Sequence, residues 1–558
     1  MIGVAMLDER LRANAWYYRT VPDLFLEACR AHPDKTAITF EHQPIAYGEL
    51  ERRVHRACQG LRKLGVEKGD VVSLLPSPTP EFVYVYFGAL QAGAVVNPLN
   101  LLWGVPEFHG VLQRNDPKVI VTVDTYGGRD YIGLLREAIA FSENEAGAVA
   151  SESVPNLRGI VAVSRSGDRH EPLVDFADFL ETGGGYREES MVALARSGAP
   201  TDVQYICQTS GTTGLSKSAL WCHRPPLASV HFGARHLNFT EDDGFINLAP
   251  FYHNSGMFAL NMTLALAGAT LHLMEKFDPG HALELIDRYK PTCTFGFDAH
   301  WQGMRRVPGF EDHDFTITKA LLAGEPRTYD LVTSMCPEGA IINQLYAQTE
   351  NGPGVAFGEP DCMDYRIRKH THGRPLPGVE LVIKDLDTGE RVPQGQPGEI
   401  CYRSPYMFSG YLKQPEATEK DFDAEGYFHS GDFGTIDNGY VTFLGRLGGV
   451  VKSGGENVST VRVTNLLLEC LGDEIDDAKT VGIPDEYWGT KVVSLVRFPE
   501  GRKARSTEEL REACKGTLAA YEIPRAFVQW QGEWPTTPEG KIDFKALEAY
   551  AAERAVTS

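Results

Sequence analysis

The sequence predicts an α/β protein in three parts: a large N-terminal domain of parallel and mixed sheets flanked by helices, a β-rich subdomain, and a small, mobile α+β C-terminal domain. Three observations lead to this prediction. The chain has 558 residues, which is too many for one hydrophobic core. Its first half alternates helix and strand patterns, which indicates parallel sheets covered by helices. From residue 378 onward, hairpin patterns replace that alternation.

The N-terminal half carries the alternation. In "YGELERRVHRACQGLRKLG", apolar residues recur at helical spacing from Leu50 to Leu64, and Gly65 stands where a helix C-terminus favours glycine. A buried strand, "VVSLL", and then an apolar helix, "PEFVYVYFGALQAG", follow it. Further strands are predicted at "KVIVTVD" and "GIVAVS". We therefore expect parallel strands connected by helices in this part of the chain.

Two hairpins are predicted in the β-rich part. The first, "VELVIKDLDTGERV", contains the turn Asp387-Thr388-Gly389, and the second, "GTIDNGYVTFLG", contains the turn Asn438-Gly439. A glycine-rich segment, "GRLGGVVKSGGENV", follows them. Because glycine tolerates large changes in φ and ψ, we expect a domain boundary and a hinge there, which divide the chain into residues 1–447 and 448–558.

Composition excludes several functional classes. The net charge of -21 argues against a nucleic-acid partner, because binding a phosphate backbone needs a basic surface. The ten cysteines include no CxxC pair and no close Cys/His spacing, which argues against a disulfide framework or a structural zinc site. The sequence has no signal-peptide pattern, membrane-length apolar run or C-terminal address, so we expect a cytoplasmic protein without a membrane partner. It leaves the oligomeric state open.

The loop "TSGTTGLSKS" is the strongest single signal of chemistry. It follows the apolar strand "VQYIC", which disfavours a flexible linker. A Walker A loop needs glycine directly before its lysine, and here Ser216 precedes Lys217. What remains is a loop whose backbone N–H groups and hydroxyls can wrap an anion, with the lysine adding positive charge. The residues concerned are Thr209, Ser210, Gly211, Thr212, Thr213, Gly214 and Lys217.

This loop resembles the phosphate loop of the adenylate-forming superfamily, which includes acyl- and aryl-CoA ligases, peptide-synthetase adenylation domains and beetle luciferases. Eight further stretches resemble the motifs of that family in the same order along nearly the whole chain. They are "AYGELERRVHRACQGLRKLGVEKGDVV" with "GALQAGAVVNPLN", "APFYHNSG", "YAQTE", "GYFHSGDFGTID", "GRLGGVVKSGGENV", "VGIPDEYWGTKVV" and "PTTPEGKID". The family match implies a carboxylate that attacks the α-phosphate of ATP, with release of pyrophosphate.

The resemblance assigns the parts of such a site to residues of this chain. Two anions react and charge builds on the leaving group, so cations and N–H donors are required, together with Mg²⁺. For the phosphates and the metal, the implied roles are Thr209 to Gly214 and Lys217 for the β- and γ-phosphates, Thr349 for the α-phosphate and Glu350 for Mg²⁺. For the nucleoside, they are Tyr346 with Gly324, Glu325 and Pro326 for adenine, Asp432 for the ribose hydroxyls, and Arg446 for ribose or phosphate. Lys541 is implied as the catalytic lysine between the carboxylate and the α-phosphate. His253 is implied beside the acyl pocket, and a packed core histidine is the alternative.

Candidate residues for the acid pocket follow the same motifs. They are His253, Asn254, Ser255, Met257, Phe297, Asp298, Ala347 and Gly352. Asp298, His300 and Glu325 are polar at positions where many fatty-acyl ligases carry small or apolar residues. Since buried polar groups need partners, these residues favour an aromatic or short acid with polar substituents. The alternative is that they pair with one another or face solvent.

Several positions depart from the family pattern. Gly448 occupies the pivot position, where an acidic residue or lysine is usual. Ser216 replaces the usual proline and Ser218 the usual glycine; "STVRVTN" replaces the Pro-x-Glu run, and Glu522 replaces the usual lysine of "YEIP". None of these positions carries an adenylation role, but together they bear on the second half-reaction.

The sequence therefore predicts an AMP-forming ligase that activates a small, aromatic carboxylic acid with ATP and Mg²⁺, with CoA as the default acceptor. The alternative is an adenylating enzyme of the same fold that uses a carrier protein or an amine as acceptor, or activates a different anion such as nitrite, as ATP-dependent diazotases do. A non-catalytic nucleotide-binding homologue is disfavoured because Thr349, Glu350, Asp432 and Lys541 are all present.

Overall fold

Two large mixed sheets form the N-terminal part of the protein. The computed structural model describes residues 15–75, 78–143, 148–209, 216–352, 354–499, 501–502, 504–536 and 542–555. Within these residues, a nine-stranded and a seven-stranded sheet are followed by a four-stranded antiparallel sheet and a five-stranded C-terminal sheet. This arrangement confirms the predicted α/β class, with a β-rich part before an α+β C-terminal part.

The nine-stranded sheet is parallel in its centre and antiparallel at both edges. Its strands, in spatial order, are Gln43–Ala46, Thr36–Phe40, Thr270–His272, Gly244–Asn247, Cys293–Gly296, Lys319–Leu322, Ile341–Tyr346, Ala356–Phe357 and Arg374–Pro375. The neighbouring central strands pair in parallel register, for example Phe295 with Leu321. Loops at the carboxyl ends of parallel strands converge on one edge, where ligand sites form in such sheets.

The seven-stranded sheet carries the phosphate-loop candidate at its edge. Its strands, in spatial order, are Val174–Asp175, Gly159–Val163, Val119–Val123, Val71–Leu74, Val95–Pro98, Val203–Gln208 and Ser218–Cys222. The last two strands are antiparallel and flank the loop, with Gln208 opposite Ser218. Two small ribbons, Thr125–Tyr126 with Arg129–Asp130 and Ser142–Glu143 with Val149–Ala150, lie outside the large sheets.

The C-terminal half is built on antiparallel pairing. The four-stranded sheet contains Glu380–Lys384, Gly398–Arg403, Phe428–Asp437 and Tyr440–Arg446, and the C-terminal sheet contains Glu456–Ser459, Val450–Ser453, Gly489–Arg497, Asp477–Asp485 and Ala526–Gln529. Asn438 and Gly439 have φ of 49° and 82°, as a two-residue hairpin turn requires, so the second predicted hairpin is confirmed. The chain also reverses at the first predicted turn, where Gly389 has a φ of 70° and the Asp385 N–H donates to the Glu390 carbonyl at 2.8 Å. Lys384 and Arg391 form an antiparallel bridge there, while the full strand partner of Glu380–Lys384 is Gly398–Arg403.

Helices cover both large sheets. They are Val21–Ala31, Tyr47–Lys63, Pro80–Gln91, Val105–Asn115, Tyr131–Ile139, Phe176–Thr182, Glu188–Ala195, Arg224–Leu237, Asn254–Leu260, Pro279–Tyr289, Asp298–Arg305, Pro326–Met335, Tyr365–His370, Pro415–Lys420, Thr460–Leu471, Thr507–Ala513 and Phe544–Arg554. Short 3-10 turns lie at Ala15–Tyr18, Phe310–Asp312, Thr349–Asn351, Leu447–Gly449 and Gly472–Glu474, and a π-helix lies at Asn261–Ala267. No helix in the described part of the chain has the length and apolarity to cross a bilayer.

The helix Tyr47–Lys63 illustrates how the sequence pattern becomes packing. Leu50, Val54 and Leu61 are fully buried, and Gly65 adopts a φ of +85° just after the helix ends, as predicted. The helix Pro80–Gln91 crosses it closely, because a Cβ on Gly88 would stand 2.8 Å from the backbone nitrogen of Cys58. Apolar periodicity and a small residue at the crossing therefore fix this layer.

Candidate active site

A cavity of about 1050 Å³ opens where the carboxyl ends of the central parallel strands meet the antiparallel sheet and the helix Thr460–Leu471. This is the position expected for a ligand site in an open α/β sheet. Twelve of the residues predicted from sequence line it: His253, Asn254, Ser255, Phe297, Gly324, Glu325, Pro326, Tyr346, Ala347, Thr349, Asp432 and Arg446. Four other predicted and described residues lie outside this lining: Thr209, Lys217, Glu350 and Gly448. The fold thus gathers residues that lie up to 193 positions apart, from His253 to Arg446, around one space.

Three predicted pocket residues do not line this cavity. Met257 is 3% exposed, so its side chain is buried in the hydrophobic core. Asp298 lies on the surface, where it accepts hydrogen bonds from Gln302 at 2.7 Å and from Thr328. Gly352 lies against Pro225, since a Cβ added at this glycine would stand 3.1 Å from that proline. These three assignments to the acid pocket were therefore wrong for the cavity that the described residues form.

The catalytic-lysine candidate and most of the phosphate loop are not among the described residues. Ser210, Gly211, Thr212, Thr213, Gly214 and Lys541 lie outside the described residues. The two ends of the loop are described: the Thr209 N–H donates to the Lys217 carbonyl at 2.9 Å, and the Lys217 N–H donates to Thr209 Oγ1 at 3.2 Å. The chain therefore leaves and rejoins the sheet at neighbouring points.

Asp432 is a carboxylate buried at the centre of the site. Its side chain accepts hydrogen bonds at Oδ2 from Tyr346 Oη at 2.7 Å and from Gln348 Nε2 at 2.6 Å. Asp432 Oδ1 lies 3.0 Å from Arg446 Nε, yet no donor among the described residues reaches this oxygen with hydrogen-bond geometry. Burial raises the pKa of Asp432 to about 6, and the Arg446 guanidinium opposes that rise.

Tyr346 stands beside this carboxylate. Its ring stacks on Phe443 with centroids 6.0 Å apart, and the residue is 4% exposed. Gln348 is in turn fixed by Tyr402, whose hydroxyl donates to Gln348 Oε1 at 2.9 Å. A buried network therefore holds the aromatic ring and the carboxylate in one orientation.

A second buried carboxylate, Glu350, is connected to the end of the phosphate loop. Tyr411 Oη lies 2.8 Å from Glu350 Oε1 and 3.0 Å from Asp421 Oδ2. Lys217 Nζ pairs with the same Asp421 oxygen at 2.9 Å and lies 4.3 Å from the centre of the Tyr411 ring. Burial raises the pKa of Glu350, so the ionised form lacks full solvation. Lys217, Asp421, Tyr411 and Glu350 form one continuous chain, which we call the carboxylate chain.

Thr349 and His253 lie on adjoining segments. The Trp221 indole donates to the Thr349 carbonyl at 2.9 Å, and Asn254 Nδ2 donates to Thr349 Oγ1 at 3.4 Å. His253 caps the helix Asn254–Leu260, since its Nδ1 accepts the Ser255 N–H at 3.3 Å. Its ring contacts Phe297 edge-on at 5.5 Å, and burial lowers the pKa of the imidazole. His253 is therefore both a helix cap and a neutral wall of the cavity.

The polar residues expected to mark the acid pocket find partners elsewhere. Glu325 lines the cavity, and Asn465, with its amide nitrogen toward the carboxylate, donates to it at 2.9 Å. His300 Nδ1 accepts the Phe297 N–H at 3.2 Å, and its ring lies 4.7 Å from that of Phe277. The alternative of solvent exposure holds for Asp298, while Glu325 and His300 pair with other residues. The remaining wall near His253 is aromatic, with Phe295 and Phe297 at 5.4 Å.

Two family departures in the loop stabilise its base. The Ser216 hydroxyl donates to the Thr209 carbonyl, across the neck of the loop. Ser218 is fully buried, accepts from Arg114 Nε at 3.1 Å, and lies 2.9 Å from Asn115 Oδ1. Ser216 stands where proline is usual and Ser218 where glycine is usual. Each serine therefore stabilises the base of the loop through hydroxyl hydrogen bonds that proline and glycine cannot form.

The two departures in the C-terminal part compensate each other. Arg462 stands at the glutamate of the usual Pro-x-Glu run, and Glu522 stands at the usual lysine. Arg462 Nε pairs with Glu522 Oε1 at 2.7 Å, and Glu522 also accepts the Ala519 N–H at 3.1 Å. The residues at both departures therefore belong to one ion pair of this chain. Gly448 differs: a Cβ there would meet nothing within 4 Å.

The described residues fit the groups that the family pattern implies. The Asp432 oxygen that lacks a hydrogen-bond donor suits a ribose hydroxyl, because a carboxylate only accepts. Glu350 is a desolvated carboxylate next to the loop, which suits a hard cation such as Mg²⁺.

Sequence reasoning missed Gln348, Tyr402, Tyr411 and Asp421. Only Gln348 had a signal, because it stands inside the "YAQTE" motif.

Comparison with known proteins gives consistent matches. Residues 25–412 match the family model described as AMP-binding enzyme, and residues 470–541 match the model of its C-terminal domain. A methyl-dioxo-octahydro-indenyl-propanoyl:CoA ligase of Mycobacterium tuberculosis is 32% identical over 529 residues, which cover 94% of this chain and 97% of the relative. A feruloyl-CoA synthase of an Amycolatopsis species is 29% identical over 519 residues, covering 92% and 95%.

Similarity also extends to solved structures. The anthranilate CoA ligase AuaEII, in complex with anthranoyl-AMP, superposes with a TM-score of 0.80 at 22% identity, over 97% of this chain and 98% of that one. At this identity the match supports the fold, including the C-terminal part.

The ion pair of Arg462 and Glu522 yields the first testable prediction. Reversing one charge, as in Glu522→Lys or Arg462→Glu, places like charges together around the buried Glu522 position, so each should lower the free energy of unfolding by about 2–4 kcal/mol. The double variant should recover most of that loss. Urea denaturation followed by tryptophan fluorescence measures all three.

The surface pair Arg169–Asp178 is the matched control, since both side chains are about half exposed. Its single reversals should cost less than about 1 kcal/mol. Additive losses in the Arg462/Glu522 double variant would contradict the compensating role of this pair.

Proposed function

The chain belongs to the AMP-binding enzyme family, and from this premise we propose that it is an AMP-forming ligase that adenylates a small aromatic carboxylic acid and transfers the acyl group to CoA. The observation that carries the proposal is that one cavity is lined by Asp432 and Tyr346, by Thr349, and by the aromatic side chains Phe295 and Phe297. The acid and its acceptor are the proposed details.

The aromatic wall supports the choice of acid. Phe295, Phe297 and His253 offer a wall of aromatic rings set at an angle to one another, which favours a ring that packs edge-to-face over a polar or long flexible chain. One relative is named a feruloyl-CoA synthase, which supports an aromatic acid, and another is named for a bicyclic acid. Both of these acids contain a compact ring, and only the first is aromatic. A panel of aromatic and non-aromatic acids therefore tests whether this protein requires an aromatic ring.

In the proposed mechanism, Asp432 accepts the ribose hydroxyls, Tyr346 contacts adenine, and Thr349 binds the α-phosphate. Glu350 holds Mg²⁺, which when bound neutralises charge on the phosphates. Residues 209–214 with Lys217 bind the β- and γ-phosphates, and Lys541 brings the acid carboxylate to the α-phosphate. Preorganised donors of this kind lower the barrier because they need no reorganisation as charge develops.

The acceptor depends on the proposed C-terminal domain, residues 448–558, which would rotate about Gly448 after adenylation. CoA is the default because the relatives carry CoA-ligase names. The second candidate is an enzyme of the same fold with a carrier protein or amine as acceptor, or with another activated anion such as nitrite. The absence of a side chain at the Gly448 pivot is the observation that keeps this candidate open.

Product analysis tests the proposal directly. With ATP and Mg²⁺, aromatic acids such as benzoate should support pyrophosphate exchange more strongly than cyclohexanecarboxylate, which has the same carbon skeleton without the flat ring. Adding CoA should yield acyl-CoA and AMP by mass spectrometry. Lys541→Ala should lower exchange by about 10²–10³-fold, whereas the exposed Lys545→Ala should not.

Two results would overturn parts of this proposal separately. Exchange without acyl-CoA would remove CoA as acceptor and favour the second candidate, for which parallel reactions with amine and nitrite would identify the product. No exchange with any acid or anion would favour a non-catalytic homologue.

The pKa of Asp432 gives a pH prediction for ribose binding. As the pH falls through about 6, Asp432 becomes protonated and no longer accepts two hydroxyl hydrogens. Adenosine, which has no phosphate that titrates in this range, should therefore bind about tenfold more weakly near pH 5 than near pH 7. Calorimetric titration measures this, and Asp432→Asn should bind weakly at both values. An unchanged wild-type affinity across the range would contradict the ribose role.

The hinge proposal has its own test. A side chain at Gly448 meets open space, so Gly448→Asp should leave pyrophosphate exchange unchanged and thioester formation unchanged or faster. The neighbouring Gly449→Asp is the matched control, because it adds the same charge one residue beyond the pivot. Complete loss of thioester formation in Gly448→Asp alone, with exchange intact, would contradict domain rotation about this residue.

A further inference from the structure

A cluster of metal-ligand side chains lies on the antiparallel sheet, outside the cavity described above. Glu399 and Cys401 lie on the strand Gly398–Arg403, and His429 lies on the neighbouring strand Phe428–Asp437. Cys401 and His429 are directly opposed in the register of the two strands. Glu399 is two residues before Cys401, and residues two apart on a strand share a face. A carboxylate oxygen, a thiol sulfur and an imidazole nitrogen, all common metal ligands, therefore lie close together on one face of the sheet.

The sulfur–nitrogen distance in the cluster matches a tetrahedral metal site, whereas the Glu399 oxygen lies within hydrogen-bond distance of His429 and would move outward by about 0.5 Å to share an ion. His429 Nδ1 lies 3.6 Å from Cys401 Sγ and 2.8 Å from Glu399 Oε2, and the three ligand atoms all lie within 4.8 Å of one another. A sulfur at about 2.3 Å and a nitrogen at about 2.0 Å from one zinc ion are about 3.5 Å apart at the tetrahedral angle. The sulfur and nitrogen therefore need almost no movement to share an ion.

The surroundings orient these ligands. His429 Nε2 faces Asp423 Oδ2 at 3.5 Å, so a carboxylate stands behind the imidazole on the side away from Cys401. Asp423 is itself held by Lys384. Glu399 Oε1 accepts the Gly431 N–H at 3.0 Å, which leaves Oε2 directed toward His429. Carboxylates behind a metal-bound histidine are the usual means of fixing its orientation.

We propose that Glu399, Cys401 and His429 bind a thiophilic divalent cation of the Zn²⁺ type, at a site separate from the Mg²⁺ proposed at Glu350. Access is available, since the His429 side chain is 35% exposed and that of Glu399 14%. The close Cys/His spacing sought in the sequence does not exist, because Cys401 and His429 are 28 residues apart and meet only through strand pairing.

The site also adjoins the strand segment that carries Asp432. Glu399 binds the N–H of Gly431, and Ser430 donates to the carbonyl of Ile400. An ion between the two strands would therefore fix the segment immediately before Asp432. This inference does not depend on the proposed acid or acceptor, because none of its three ligands lines the cavity.

Cobalt(II) titration of the full-length protein, after treatment with a chelator, tests the site. Co²⁺ alone should bind in a 1:1 ratio and produce a thiolate-to-cobalt charge-transfer band with the visible bands of a four-coordinate ion, and Zn²⁺ should displace it. Cys401→Ser should lose the charge-transfer band, and His429→Gln should lose the 1:1 binding. Cys470→Ser is the matched control, since its Sγ lies 3.9 Å from Cys514 Sγ in another thiol cluster.

Asp423→Asn provides a variant that keeps all three ligands. It should bind Co²⁺ about 10–100-fold more weakly than the wild type while retaining the charge-transfer band. Circular dichroism of each variant checks that it is folded. The absence of a 1:1 charge-transfer signal in folded wild-type protein would overturn the proposal, and so would a signal that survives in Cys401→Ser and disappears in Cys470→Ser.

Discussion

The buried carboxylate of Asp432 is the constraint on which the rest of the site depends. A carboxylate that is 1% exposed is costly unless donors surround it, because its hydration is lost. Its partners come from separate parts of the chain: Tyr346 and Gln348, at and just after the end of the strand Ile341–Tyr346, donate hydrogen bonds to it, and Arg446, on the antiparallel partner strand, supplies an opposite charge. Satisfying one anion therefore holds the antiparallel sheet against the carboxyl edge of the nine-stranded sheet. The cavity between them is the space that this attachment leaves.

The carboxylate chain extends the same principle to the phosphate loop. Tyr411 has one hydroxyl hydrogen for two carboxylates, Glu350 and Asp421. Among the four residues of the carboxylate chain, Lys217 carries the single positive charge. Two anions served by one hydrogen and one cation leave a deficit of positive charge. A bound cation near Glu350 would relieve that deficit, and this is the physical reason to expect metal and nucleotide to bind together.

Local features of the fold could be predicted from sequence, whereas long-range partners could not. Apolar periodicity predicted the helix from Tyr47 and its C-terminal glycine, and Asn438-Gly439 predicted its hairpin, because a few neighbouring residues determine these structures. The motifs in register predicted the residues around the cavity. Tyr411 and Asp421 carry no signal near Glu350 in sequence. Asp298 was assigned to the pocket because its motif passes the cavity, but it begins a helix whose first turn faces solvent.

The departures from the family pattern now separate into two kinds. Ser216 and Ser218 form hydrogen bonds at the base of the loop, and Arg462 and Glu522 form one ion pair. These four positions therefore have local structural reasons and carry no information about the acceptor. Gly448 has no such compensation. A Cβ added there would meet no atom of the described residues within 4 Å, so no neighbouring group takes the place of the usual acidic or lysine side chain. In the proposed two-step reaction, Gly448 is therefore the departure that bears on the second step, through the greater backbone freedom of glycine at that position.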